Sequence, residues 1–192
     1  GSSHQGRRLL LATGVADELP QIDGLAERWG KAVFHCPYCH GYELNQGRIG
    51  VIASGPMSLH QAQLITEWGE VTFLTNGVVE PNPAELADLA ARGVTVEPTP
   101  IAGLQGHADI ALQDGRVLPF AGLFVATRAA PASDVAEKLG CAIAENPLGL
   151  QIATDETKAT SVPGVFACGD VGRAPHSVSL AVGDGAWAGA QL

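Results

Sequence analysis

At 192 residues, with 46% hydrophobic and 16% charged residues and 24 glycines, the chain has the make-up of a well-buried α/β protein and not of a disordered one. A net charge of −9, with only three lysines, argues against a nucleic-acid backbone or an anionic membrane surface as partner. No run of 18 apolar residues is present, so nothing is expected to span a membrane, and the length suits one large domain or two small ones.

Arg7 and Arg8 precede Leu9-Leu10-Leu11, but this apolar stretch meets Thr13-Gly14 at once and is too short for a secretory signal. Residues 8–12 are predicted as a buried strand and 19–24 as a turn-rich connector. A short strand over 31–35 delivers the chain to Cys36. A β-α-β unit follows: strand 48–53, the turn Ser54-Gly55-Pro56, a helix over 57–68 and a strand over 71–74. A second helix is predicted over 83–92, with Pro83 suited to its first turn and Gly93 to its end, and then a strand over 94–97. Short segments broken by Gly103, Gly106, Asp114-Gly115 and Pro119 read as a small antiparallel meander turning at Asp114-Gly115. Residues 120–127 and 165–168 are further buried strands, and the Ala- and Gly-rich tail from Ser177 reads as a closely packed final helix.

One nearly complete nucleotide-fold unit therefore lies at about 46–117. The strands flanking it, at 8–14 and 120–170, need others beside them to protect their edges. The N-terminal flank begins abruptly on a buried strand, which reads as a piece of a longer protein.

Four cysteines in a chain of this size are not a disulfide framework. Cys141 and Cys168 stand alone in apolar surroundings and read as small buried hydrophobes. Cys36 and Cys39 are paired by spacing in Cys36-Pro37-Tyr38-Cys39-His40. Thiols at i and i+3 can close a small-loop disulfide, and the imidazole beside them can take or return the proton that thiol chemistry moves. The same run matches covalent haem attachment and half of a zinc site. Haem would need a distal ligand, and the single methionine, Met57, belongs to the predicted helix. Zinc would need two more ligands, and no second CxxC exists, so no metal is expected. A lone CxxC without other cystines suits a reducing, cytoplasmic setting.

Taken in order, Ala12-Thr13-Gly14, Cys36-Pro37-Tyr38-Cys39, the turn at Gly55 and Pro163-Gly164-Val165-Phe166-Ala167-Cys168-Gly169-Asp170 resemble the thioredoxin reductase family of flavoproteins. The resemblance runs over nearly the whole chain. It implies an α/β fold in which a Rossmann-like three-layer nucleotide-binding domain carrying the CxxC is inserted into a partial second, FAD-type domain. Residues 1–14 and 120–192 would be FAD-domain segments, and 15–119 the nicotinamide-type domain. No GxGxxG precedes Arg8, so the FAD-binding opening of that domain is missing from this sequence and FAD affinity is expected to be poor.

The resemblance also assigns roles. Thr13, Gly14, Gly169 and Asp170 would lie against FAD, with Asp170 on the ribityl chain and His176-Ser177 at the helix terminus nearest the ring. Cys36 and Cys39 would be the redox pair, Cys39 facing the flavin, with His40 as acid and base where the reductases usually carry an acidic residue. His35 reads as structural and Glu43 as a surface or capping residue. The expected partner is a dithiol or disulfide, either a thioredoxin-like protein or a small molecule, and the full-length parent is expected to be a homodimer. Two departures stand out. The nicotinamide turn reads Ala53-Ser54-Gly55-Pro56-Met57-Ser58, keeping only Gly55 of its three glycines, and the second strand ends in Thr75-Asn76-Gly77 with neither acid nor arginine for the ribose. NADPH binding is therefore expected to be weak or lost. The CxxC-His run is similar to flavin-dependent dithiol oxidases of small metabolites such as gliotoxin and holomycin, which pass electrons to oxygen. Reductase, oxidase and inactive fragment all remain open at this point.

Overall fold

Nearly continuous apolar runs at 49–52, 71–74 and 123–125 require strands covered on both faces. The computed structural model, which describes residues 5–192, has that architecture. In chain order it forms β1 (Leu9–Leu11), β2 (Val15–Glu18), β3 (Val33–Phe34), the short helix α1 (Pro37–His40), β4 (Arg48–Ile52), α2 (Met57–Leu64), β5 (Glu70–Leu74), α3 (Pro83–Ala91) and β6 (Thr95–Glu97). There follow β7 (Ile101–Gln105), β8 (Asp109–Leu112), β9 (Val117–Leu118), β10 (Gly122–Val125), β11 (Arg128–Pro131), α4 (Val135–Lys138), β12 (Ile143–Asn146), β13 (Gly149–Ile152), β14 (Val165–Ala167) and α5 (Val178–Gln191). Residues 1–4 of the expected 1–14 segment lie outside the described residues.

The chain divides into two compact units: one is Leu19–Thr127, and the other joins the residues up to Glu18 with Arg128–Leu192. The boundaries expected after residues 14 and 119 therefore fall after 18 and 127. Strand pairing is the reason. β2 pairs antiparallel with β11, whereas β10 lies between β3 and β4 in one parallel sheet. The nucleotide-type unit is accordingly larger than 46–117, because its sheet is complete only with β3 and β10.

In the 19–127 unit the five parallel strands run in the order β3-β10-β4-β5-β6. Side-chain alternation sorts their residues into two cores. Val33, Ile52, Leu74, Leu123 and Val125 pack with Ile101, Leu104, Ile110 and Leu112 of the antiparallel sheet β7-β8-β9. Phe34, Ile49, Val51, Phe73 and Phe124 face the other way, onto Ala62, Ile65 and Leu89 of the helical layer. The result is three layers, meander, parallel sheet and helices. Gly50 leaves the space that Leu123 fills, since a Cβ there would approach the Leu123 side chain to 2.6 Å.

Local signals terminate the elements. Asn82 accepts from the backbone N–H groups of Ala84 and Glu85 at 2.9 and 3.0 Å, and Glu85 accepts from the Asn82 N–H at 2.7 Å, closing a capping box on α3. Gly115 turns the β8–β9 hairpin at φ +90°, a conformation that favours glycine. The helix expected over 57–68 is α-helical to Leu64 and tightens to a 3-10 turn over Ile65–Glu67.

In the other unit, β1 and β14 pair in parallel, and a separate sheet runs β12-β13-β11-β2. Leu11, Ala136, Cys141, Ile152, Val165, Ala167 and Val171 form its core. Helix α5 departs from the expected close packing. It buries Asp184 and Ala188, whereas Val178 is 82% and Val182 67% exposed. Among the described residues, no helix is long and apolar enough to cross a membrane.

Candidate active site

The dithiol sits at the start of α1, whose brevity follows from its sequence. Cys36 is extended at φ −102°, ψ 113°, and Pro37 occupies the first helical position, where no N–H is needed. The Cys39 N–H donates to the Cys36 carbonyl at 3.2 Å and the Gly41 N–H to Pro37 at 2.7 Å. This single turn puts the i and i+3 side chains side by side. Both thiols are free, and Cys39 is exposed while Cys36 is half-buried. The hydrogen bond between the two sulfurs, then partial burial and the charge of Cys36, push the Cys39 thiol up to about 11 from an ordinary 9.0. Cys39 therefore keeps its proton at neutral pH.

The residues between and after the thiols anchor the turn. Pro37 is buried, and the Tyr38 ring meets Trp68 edge-on at 5.2 Å and 89°. Gly41 lies directly on Trp68, so that a Cβ there would run into the indole. The His40 ring stacks on Phe34 with centroids 4.2 Å apart and planes 16° apart, which fixes the imidazole plane while leaving the residue exposed. His35 is held by its backbone, its carbonyl accepting from Gln61 Nε2 at 2.8 Å, and its Nδ1 lies 3.3 Å from Thr127 Oγ1. Glu43 is exposed in the 3-10 turn Tyr42–Leu44.

The second group of predicted residues lies in the other unit. Thr13 and Gly14 follow β1, and Gly169 and Asp170 follow β14; these strands are parallel neighbours, so all four stand at the same carboxyl end. That end of a parallel sheet is where α/β folds place ligands. Gly14 and Gly169 have φ of +67° and +73°. Ser177 caps α5, accepting from the Leu180 N–H at 3.2 Å, with His176 half-buried before it. Gly55, the remaining predicted residue, lies between β4 and α2 in the unit that carries Cys36 and Cys39.

Three residues of importance carry no motif. Asp184 is 7% exposed and accepts from the Gly169 N–H at 2.9 Å, while Lys158 Nζ pairs with it at 2.5 Å and Arg173 lies 3.7 Å away. This buried carboxylate holds the turn that presents Asp170. An acid flanked by Gly183 and Gly185 in an otherwise apolar helix is the signal that would have found it. Burial and then Asp184 push the Cys168 thiol up, in keeping with the reading of Cys168 as a buried hydrophobe. Among the described residues, no group of three or more His, Cys, Asp or Glu side chains could hold a metal ion.

The chain is 32% identical to thioredoxin reductase sirT of Leptosphaeria maculans and 35% identical to thioredoxin reductase tcpT of Claviceps purpurea, in each case over 98% of its own residues. It spans 63% and 62% of the lengths of those relatives. Among solved structures, an oxidoreductase from Agrobacterium tumefaciens superposes with a TM-score of 0.90 at 60% identity, over 95% of this chain and 62% of that one. HlmI superposes at 0.81 with 34% identity, over 96% and 59%. The family model for pyridine nucleotide-disulphide oxidoreductases matches residues 1–185, and the chain belongs to that family.

Proposed function

We propose that the chain is the dithiol-bearing part of a thioredoxin-reductase-like flavoprotein that moves two electrons between a dithiol/disulfide substrate, the Cys36–Cys39 pair and FAD. The observation that carries this reading is the pair itself: two free thiols at i and i+3 on one anchored turn, Cys39 exposed and the next residue, His40, held by ring stacking. In the oxidised state, a substrate thiolate attacks one sulfur of the Cys36–Cys39 disulfide and releases the other as thiolate. The second substrate thiol then displaces the bound cysteine. Substrate leaves as disulfide, the pair is left as two thiols, and two protons and two electrons have changed hands. His40 takes the proton from the attacking thiol or returns it to the leaving sulfur. The reverse sequence reduces a disulfide substrate.

The family is flavin-dependent, and residues beyond β14 suit FAD. Asp170 Oδ1 and Arg173 Nε are buried polar atoms without a hydrogen-bond partner among the described residues. A buried acceptor and a buried donor left unpaired each cost on the order of 1–3 kcal/mol, which a ribityl hydroxyl and a phosphate oxygen would relieve. Thr13, Gly14, Gly169, Asp170, Arg173 and the α5 terminus at His176-Ser177 would hold the cofactor, with Asp184 keeping the Gly169–Asp170 turn in place. Bound FAD would supply a two-electron acceptor for the reduced pair.

The partner is proposed as a small dithiol or disulfide, or a thioredoxin-like protein. The relatives' own names support the reductase direction, and the CxxC-His run supports a dithiol oxidase using oxygen. The test is anaerobic addition of dithiothreitol to the chain supplied with FAD. Flavin bleaching that is lost in Cys39→Ser is the expected result, and bleaching that survives in that variant contradicts it.

A further inference from the structure

The family's name implies a pyridine nucleotide, and the β4–α2 turn is where a fold of this kind would seat its pyrophosphate. Such a seat works by offering unpaired backbone N–H groups at the helix start. Here the N–H groups of the turn itself, at Ser54 and Gly55, are already satisfied from within. Ser58 is fully buried, and its Oγ accepts from the Ser54 N–H at 2.9 Å and the Gly55 N–H at 3.3 Å. The Ser54 hydroxyl donates to the Ala126 carbonyl at 2.6 Å. The 3.3 Å contact between the two hydroxyl oxygens is therefore Ser58 donating to Ser54, which uses the Ser58 proton as well. Pro56 has no N–H, and the Ser58 N–H donates to the Gly55 carbonyl at 3.0 Å. Of the five residues 54–58, only Met57 keeps an N–H free of these commitments.

The ribose end is closed in the same way. Thr75, Asn76 and Gly77 provide neither carboxylate nor guanidinium, and Asn76 Oδ1 accepts from the Ile101 N–H at 2.7 Å. Helix α2 meanwhile has another task, since Gln61 Nε2 grips the His35 carbonyl one residue before the dithiol. The residues do not fit a nicotinamide dinucleotide.

We propose that Ser58 is the residue that shuts this turn to nicotinamide dinucleotides: its hydroxyl occupies the acceptor position that a pyrophosphate oxygen would need, and the β4–α2 unit serves to hold the dithiol turn. The inference stands on the turn alone and does not depend on FAD binding or on which substrate the thiols meet.

The test titrates the 192-residue chain and its Ser58→Ala variant with NADPH and with NADH by calorimetry, and follows amide exchange at Ser54 and Gly55. Wild type is expected to show no saturable binding below about 1 mM, and Ser58→Ala to bind at least about tenfold more tightly. Both amides should exchange slowly in wild type, and faster once the serine oxygen is gone. Micromolar binding by wild type overturns the proposal, and so does equal affinity of the two proteins. Should Ser58→Ala fail to fold by circular dichroism, exchange in the wild type decides: protected Ser54 and Gly55 amides that millimolar NADPH leaves unchanged support the closed turn, and rapid exchange overturns it.

Discussion

The two cysteines of the dithiol have different neighbours, and their reactivities should differ accordingly. Cys39 is pushed to about 11 first by its hydrogen bond with Cys36. Raising the value of an acid lowers its thiolate fraction at neutral pH, so alkylation of Cys39 should climb about tenfold per pH unit until near pH 11. Removing the cause should remove the shift. In Cys36→Ala, alkylation of Cys39 at pH 8, read by peptide mapping, is expected to be at least about tenfold faster than in wild type; an unchanged rate would mean the sulfur–sulfur hydrogen bond is not what holds the proton. Asp170→Ala should weaken FAD binding at least about tenfold in a flavin-fluorescence titration, because it deletes the buried acceptor. At this scale the sequence was informative where chemistry needs rare residues in a fixed order, as in Cys36, Cys39 and His40. It was silent on Ser58, Gln61 and Asp184, whose roles come from partners far along the chain or from hydroxyl geometry that no spacing encodes.

Among elements, α1 depends on a tight seat. Gly41→Ala should drive the turn off Trp68 and cost on the order of 1–3 kcal/mol, visible as a lower thermal midpoint together with altered thiol reactivity. β6 is tied to the β8–β9 hairpin by Glu97, which lies 2.7 Å from Arg116. That guanidinium, helped by Thr99, holds the Glu97 carboxyl down to about 2 from 4.5 against the opposing effect of burial. A lowered carboxyl stabilises the fold above its ordinary value, and the contribution is lost as pH falls from 4.5 towards 2. Glu97→Gln should therefore cost about 1–2 kcal/mol at pH 7, moderated because Arg116 is half-exposed, and the difference should vanish near pH 2 in acid-unfolding curves. Elements with strong apolar period or a firm cap, such as β4, β5 and α3, were legible in advance. Those between residues 128 and 164 were not. β11 reads Arg-Ala-Ala-Pro and β12 Ile-Ala-Glu-Asn, with no alternation to mark a face, and they become strands only by pairing with β2 and β13.

For the whole molecule, separate cores imply separate sensitivities. Leu123→Ala, at a fully buried position of the parallel sheet, should cost about 2–5 kcal/mol and lower amide protection across 19–127 while leaving β1 and β14 near their wild-type protection. Residues 120–127 are expected from the sequence with the C-terminal segment, whereas β10 pairs with β3 and β4. A buried parallel strand carries no mark of which sheet it joins, and β10 enters the chain after the meander although its hydrogen bonds go back to β3 and β4.

The central claim, a dithiol/disulfide couple formed by Cys36 and Cys39, is tested most directly by a redox titration of the chain in dithiothreitol buffers, with alkylation and mass mapping of all four cysteines. A single two-electron transition in which Cys36 and Cys39 lose their alkylation together, while Cys141 and Cys168 remain thiols throughout, is the predicted result. Independent titration of the two residues, or a disulfide that pairs either of them with Cys141 or Cys168, would contradict it.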